Sequence, residues 1–429
     1  MATFTWNAPT DNEPWTTAGN WAVTGVDADG LPDSDDDVVF DGTSTKTSSL
    51  DAATSIHSLT IAAAYTGTIT QAAAANLTLG GDYSQSGGTF VSAAAVDVGG
   101  GVNLSSGAFT APPAGASFSV GGNVALSGGT FTANTGVLTL TSTATQTLST
   151  GGATLYSLGH AAAGAVQLGG NLSLTSTLTQ SSGSFDLASY DLSLATLIVS
   201  GGTLKDSTTS TSDVTATSAY DLRGGEVSVP LIGAIGLNKT TASTATLSGV
   251  NLYTGATDVQ VGTLQVDGST ASTSTVTVRS GATLAGGGNV AGSVTVAAGG
   301  NVAPGASAGV LTTGSIAFAA GSTFTVELGG TTAGVGAGFH DQLVVPAAGT
   351  IDLGGATLAA SLIGGFTPNA STLQAMTIID NQGASDVTGQ FASLPEGSQI
   401  SLGGGNYVYI TYRGGDGNDV QLNSQPVFH

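Results

Sequence analysis

Cysteine is absent from this chain of 429 residues, and basic side chains nearly so, with six Lys and Arg against 28 Asp and Glu and a formal net charge of -22. The first absence removes disulfides and thiol chemistry, and it fits an exported bacterial surface protein that folds without cross-links, as it also fits many cytosolic proteins. The second argues against nucleic-acid and anionic-membrane partners. Lys46, Lys205, Arg223, Lys239, Arg279 and Arg413 are scattered rather than clustered, and so acidic a chain repels phosphate and lipid head groups. No apolar run approaches the roughly 18 residues of a membrane-spanning helix, so no membrane span is expected. Met1 to Thr16 lacks the basic start and apolar core of a Sec signal peptide. Leu-rich segments with a 3.6 period and helix caps are missing too, and the one stretch read as a short helix is Ala359 to Ile363.

What is plentiful is glycine, at 66 residues, together with Ala, Ser and Thr. With only 8% charged residues such a chain would read as low-complexity linker, were it not for a periodic apolar set such as Leu77-Thr78-Leu79 and Leu138-Thr139-Leu140. The phrase Ser-Gly-Gly-Thr-Phe returns as Ser86 to Phe90, Ser105 to Phe109, Ser127 to Phe131, Ser181 to Phe185 and Ser200 to Leu204. Phe90 and Phe109 are 19 residues apart, and Phe109 and Phe131 are 22 apart, spacings in the range of solenoid rungs. Gly pairs supply the positive backbone angles of tight corners, and alternate residues turn inward. A rung of about 20 residues implies about 20 rungs. Between Thr139 and Leu168, and between Ser207 and Tyr220, the spacing loosens and irregular rungs or longer loops are expected.

All three Trp (Trp6, Trp15, Trp21) fall at the start, before the acidic stretch Asp27 to Asp41. A solenoid must close its first rung, and large aromatics make a lid. The expected fold is all-β, a right-handed parallel β-helix with distinct N- and C-terminal caps. Its expected organisation is a Trp/Asp-rich cap over residues 1–50, rungs over 51–320 and a closing β module over 321–429.

Further along, Gly249-Val-Asn-Leu-Tyr-Thr-Gly-Ala-Thr-Asp-Val-Gln-Val-Gly-Thr-Leu-Gln-Val-Asp-Gly268, Ser280 to Val296 and Ala303-Pro-Gly-Ala-Ser-Ala-Gly-Val-Leu311 resemble the autotransporter-associated β-strand repeat of exported bacterial proteins. His340 to Val345, Gly389 to Gly397 and Tyr412 to Val420 are similar to the closing module of such passengers, so the resemblance spans Val250 to Leu422. It implies a β-helix on the cell exterior and transfers no catalytic residue. The chain departs from the family by ending seven residues after Leu422, without the strands of a membrane barrel.

Candidate sites are few. Asp27, Asp29, Asp33, Asp35, Asp36 and Asp37 place six carboxylates within eleven positions beside Gly30 and Pro32. Carboxylates so spaced can converge on Ca²⁺, which takes six to eight oxygens, although the twelve-residue loop and closing Glu of an EF-hand are missing; a solvated acidic loop is the plainer reading. Gly414 to Asp419 matches the first six positions of a Ca²⁺-binding nonapeptide through Asp416 and Asp419, yet Gln421 stands where an apolar residue belongs and no second copy follows. A turn into the last strand is favoured there. Gly305 to Gly309 has the letters of a nucleophile elbow without the helix that motif needs. His57, His160, His340 and His429 show no metal-ligand spacing. A row of Tyr65, Tyr83, Tyr156, Tyr190, Tyr220 and Tyr253 along one face would stack sugar rings, while packing inside the rungs is the commoner role for such residues.

These readings favour a non-enzymatic extracellular structural protein, a stalk, adhesin or self-assembling subunit of a bacterial surface layer or filament. A homo-oligomer or surface assembly is the expected partner and Ca²⁺ the one candidate cofactor. A glycan-binding surface module is the alternative, with a polysaccharide-degrading β-helix enzyme behind it.

Overall fold

The computed structural model describes residues 1–208 and 212–427. The protein is a β-solenoid of about 14 turns with parallel stacked strands, 47% strand overall. Among the described residues there is no α-helix, only a 3₁₀ turn at Ala18–Asn20, and no helix long and apolar enough to cross a membrane. The chain forms two compact units, Met1–Thr215 and Ala216–His429.

In the first unit, short strands stack rung on rung so that like residues repeat down each ladder. One ladder aligns Leu59, Tyr83, Val102, Val124, Leu148 and Leu168. A second aligns Ile69, Phe90, Phe109 and Phe131. A third aligns Leu77, Val96, Phe118, Leu138, Leu158, Leu178 and Leu197. Because side chains alternate across a strand, every second residue is carried inside, and Leu59, Tyr83, Phe90, Val96 and Leu178 are essentially inaccessible. Phe109 lies stacked between Phe90 and Phe131, with ring centroids 5.6 and 5.9 Å away.

The returning phrase marks corners. Gly88, Gly107 and Gly129 hold φ of 53°, 80° and 72°, and a Cβ on Gly107 would sit 2.3 Å from the carbonyl oxygen of Gly87 one rung below. The corner glycines are therefore required both by conformation and by the closeness of the stack. The second ladder ends at Thr130–Thr132, and the later copies of the phrase then serve a different corner. Gly183 and Gly202 deliver Phe185 and Leu204 into the first ladder, where they pair with each other.

At the N-terminus, Thr3–Trp6 pairs antiparallel with Trp21–Thr24 and parallel with Asp37–Phe40. Trp6, Trp15 and Trp21 close the core end: Trp6 stacks on Phe40 at 5.4 Å and Trp15 meets Trp21 edge-on at 5.4 Å. Each indole N–H has an acceptor, at Lys46 O, Ser48 Oγ and Trp15 O respectively.

The second unit repeats the scheme, with Ala245, Leu264, Leu284, Val302, Phe324 and Leu358 in one ladder and Lys239, Val259, Val278, Val296 and Phe318 in another. A further sheet begins with parallel strands and changes at Ala375–Asn381, after which Asp419–Asn423, Asn406–Gly414 and Gln399–Gly403 run antiparallel as a meander.

Three expectations are corrected. There are about 14 turns rather than about 20, because some steps between rungs are far longer than 20 residues, 34 from Thr323 to Thr357 and 36 from Leu343 to Ile379, and because the final meander adds no rungs. Thr139 to Leu168 is not a long loop: Gln146–Ser149, Ser157–His160 and Ala165–Leu168 pair in register in two ladders, while the ladder of Thr130–Thr132 does not continue into it. Ala359 to Ile363 is not helical, since Thr357–Leu362 pairs residue for residue with Thr323–Leu328; the ladder outweighs the helix propensity of its alanines. The loosened stretch after Ser207 rejoins the rungs at Val214–Leu222, with 209–211 outside the described residues.

Phe109→Ala removes the middle ring of the stack and should cost about 3–5 kcal/mol of unfolding free energy. Urea unfolding followed by circular dichroism checks this, and a loss under about 1 kcal/mol would contradict the packing described.

Candidate functional site

The acidic N-terminal loop is the densest collection of ionisable groups, and the fold divides its six carboxylates. Oxygens of Asp27, Asp33 and Asp36 lie within 4.8 Å of one another. The other three point elsewhere. Asp29 accepts the Leu31 N–H at 3.0 Å, Asp35 pairs with the Met1 ammonium at 3.0 Å, and Asp37 meets His57 Nδ1 at 2.8 Å and the Ser58 hydroxyl. The convergent three are themselves engaged in turns. Asp27 accepts the N–H groups of Asp29 and Gly30, Asp33 that of Asp35 at 3.2 Å, and Asp36 those of Ala2 at 2.7 Å and Asp33 at 3.2 Å. Asp36 is 2% exposed and ties the loop to the first strand. A proton shared between the Asp33 and Asp35 carboxyls raises the pKa of Asp33 and lowers that of Asp35, which the Met1 ammonium lowers further; Asp37 is lowered by His57 and Ser58. Three convergent carboxylates supply half of the smallest Ca²⁺ shell, and a network of turn-capping bonds accounts for their positions.

Asp416 and Asp419 lie in the second unit, in the turn joining Asn406–Gly414 to Asp419–Asn423, where Gly414 pairs with Asp419. Asp416 is exposed. Asp419 is buried, its carboxyl raised by that burial, and it accepts the Asn381 N–H at 2.9 Å. A Cβ on Gly415, at φ 56°, would strike its carboxylate. This is a hairpin turn, as the sequence favours.

The other candidates dissolve into scaffold. Tyr65, Tyr83, Tyr220 and Tyr253 are at most 1% exposed, while Tyr190 is 36% exposed, so the six form no sugar-stacking row. Ser307 is exposed in a loop leading to the strand Val310–Thr313, without a helix. His57 binds Asp37 and His160 is buried against Gln180 Oε1 at 2.9 Å; His429 lies outside the described residues. Arg279 forms a two-pronged bond to Asp258 on the adjacent rung, at 2.6 and 2.9 Å, and Arg223 pairs with Asp221 at 2.8 Å. Among the described residues two shallow surface grooves stand out, one of about 540 Å³ along Asp82, Ser84, Gly101, Asn103 and Asn123 and one of about 370 Å³ beside Trp15, Leu31 and Asp33.

Several buried ionisable groups escaped the sequence reading, Lys239 and Asp341 among them. Lys239 occupies a core position between Leu222 and Val259, with Nζ donating to the Thr241 and Val261 carbonyls; burial lowers its pKa. The period-2 pattern Leu237-Asn238-Lys239 carried the signal that it points inward. Asp341 is 2% exposed and accepts the N–H groups of Gly309 and Glu327, both at 2.7 Å, splinting three separate segments. Burial, with a contribution from Glu327, pushes its carboxyl up to about 7. Beside it His340 bonds the Gly330 and Thr377 carbonyls, and burial lowers its pKa. Nothing in the sequence distinguished Asp341 from its surface counterparts.

No protein-family model matches the chain, and no curated protein matches it either.

Asp36→Ala leaves the buried Ala2 N–H without an acceptor and should cost about 1–3 kcal/mol, read by thermal or urea unfolding. Asp341 gives a pH signature. Its folded pKa of about 7 lies above the ordinary 3.8, so the folded state keeps a proton that the unfolded state has lost. Its contribution is most favourable below about pH 4, declines as pH rises through about 7 and is level above that. Urea midpoints across pH 4–8 should show this component in the wild type and not in Asp341→Asn; identical profiles would contradict it.

Proposed function

We propose that the protein is a non-enzymatic structural element of the bacterial exterior, a stalk, adhesin scaffold or self-assembling surface subunit built on its solenoid. The observation that carries this reading is the use made of its few chemical groups: carboxylates cap turns, buried Gln and Lys side chains bond rung carbonyls, buried His160 bonds the Gln180 side chain one rung along, and the Arg279–Asp258 pair clips neighbouring rungs. Continuous backbone ladders suit a load-bearing, protease-resistant role, because a chain bonded on both sides offers little extended backbone to a protease. The likeness of Val250 to Leu422 to autotransporter passengers supports a place outside the cell.

Two measurements test the reading. Antibody raised to the purified protein should label intact cells of the source bacterium, and external protease should remove that label; labelling only after permeabilisation would overturn the exterior placement. Incubation with a panel of acidic polysaccharides, with and without Ca²⁺, should release no new reducing or unsaturated ends, and cleavage of any of them would replace the structural reading with the enzymatic one.

A further inference from the structure

The last strand of the main ladder in the second unit, Thr357–Leu362, is open on one side. Its Thr357 N–H donates to Ser322 O at 2.8 Å, and the Ile363 N–H just beyond it donates to Leu328 O at 3.0 Å. By strand alternation the odd-numbered residues therefore face the neighbouring strand, and the N–H and C=O groups of Leu358, Ala360 and Leu362 face away from it. Among the described residues Thr323–Leu328 is the strand's one ladder partner; Gln399–Gly403 passes beside it without joining the ladder.

The core at the same place is covered only in part: Phe391 stacks on Phe324 at 6.1 Å and the Ala392 N–H donates to Ala356 O just before the strand, but neither reaches the row that follows. Phe324, Val326 and Leu328 are 0% exposed, whereas Leu358, Ala360 and Leu362, stacked directly on them, are only half-buried. An uncharged, unbulged strand edge with an apolar row is what solenoids normally cap, because it templates pairing with another chain. Elsewhere the chain does blunt its edges: Glu13–Pro14, at the margin of its sheet, carries a charge and a proline.

We infer that Thr357–Leu362 is a dimerisation strand that pairs antiparallel with the same strand of a second copy. One feature selects a second copy and another permits it. The edge is self-complementary about Ala360: with Ala360 opposite its own counterpart, Leu358 of each copy faces Leu362 of the other, and all three outward-facing residues fall into hydrogen-bonded pairs. The local lack of charge permits it. Two chains of net charge -22 repel, and residues 353–379 contain no charged side chain, so the copies meet where carboxylates are absent. This goes beyond the surface role proposed above and is tested on purified protein, independently of where the protein resides.

Sedimentation equilibrium of the full chain should show a reversible monomer–dimer equilibrium. Ala360→Pro removes an outward N–H without breaking an internal ladder bond, a change that edge strands tolerate. It should weaken dimerisation on the order of tenfold or more, equivalent to about 1.4 kcal/mol, with an unchanged far-ultraviolet spectrum. The cysteine-free chain allows a second test that does not depend on proline. Diagonal neighbours across an antiparallel pair lie about 7–8 Å apart, so Ala359→Cys should give a covalent dimer with a short bifunctional thiol reagent, and Val335→Cys, exposed elsewhere in the unit, should not. A wild type that stays monomeric at its highest soluble concentration, open-ended larger species, or a dimer that neither variant touches would each overturn the inference.

Discussion

Successive rungs of a parallel β-ladder lie roughly 4.8 Å apart, and that closeness governs the rest of the molecule. It leaves no room for a side chain at the corners, so Gly107 sits over Gly87 and Gly129 over Gly107 with less space than a methyl group needs. It also brings every residue directly over its counterpart in the rung below. Stacking like on like then sets the composition: Phe on Phe and Leu on Leu inside, small hydroxyl residues outside, and few charges, because a charge repeated at this spacing repels itself.

The same constraint explains the treatment of polar groups. Corner carbonyls and N–H groups turn inward at each rung and need partners. Gln85 shows the solution, its buried amide donating to the Gly87 and Ala108 carbonyls at 3.0 Å each. Gln71, Gln146 and Gln180 do the same at other corners, and Lys239 does so with a cation. On the outside, Asp82 bonds the N–H of Gly101 and Asn123 that of Thr147, each reaching one rung along. Chemically versatile side chains are thereby committed to holding turns.

Ends are where a stack has no neighbour to lean on, and the chain closes them in different ways. The N-terminal core is sealed by three tryptophans and an antiparallel strand, tied by Asp36 to the acidic loop. In the second unit the meander of residues 375–423 closes one sheet with antiparallel strands, while Thr357–Leu362 keeps a half-covered apolar row. The repeated phrases between Gly249 and Val420 fall on both ordinary rungs and this closing region, which is why they speak to architecture rather than to chemistry.

Alternating Leu, Val and Phe with Gly corners at 19 to 22 residue steps was enough to determine a parallel solenoid, because buried ladders leave a period-2 pattern and tight corners leave glycine. The aromatic N-terminal lid and the hairpin at Gly414 to Asp419 were legible for equally local reasons. What the sequence could not convey is which corner a given Ser-Gly-Gly phrase turns, since Ser86 to Phe90 and Ser181 to Phe185 read alike yet feed different ladders. Nor could it divide the six acidic-loop carboxylates into three that converge and three that face away, or show that four of six tyrosines are buried. Asp341 and the open edge at Thr357–Leu362 needed the tertiary structure for the same reason. Burial and the lack of a neighbouring strand are properties of what packs alongside a residue, and in a ladder that neighbour lies a full turn away in sequence.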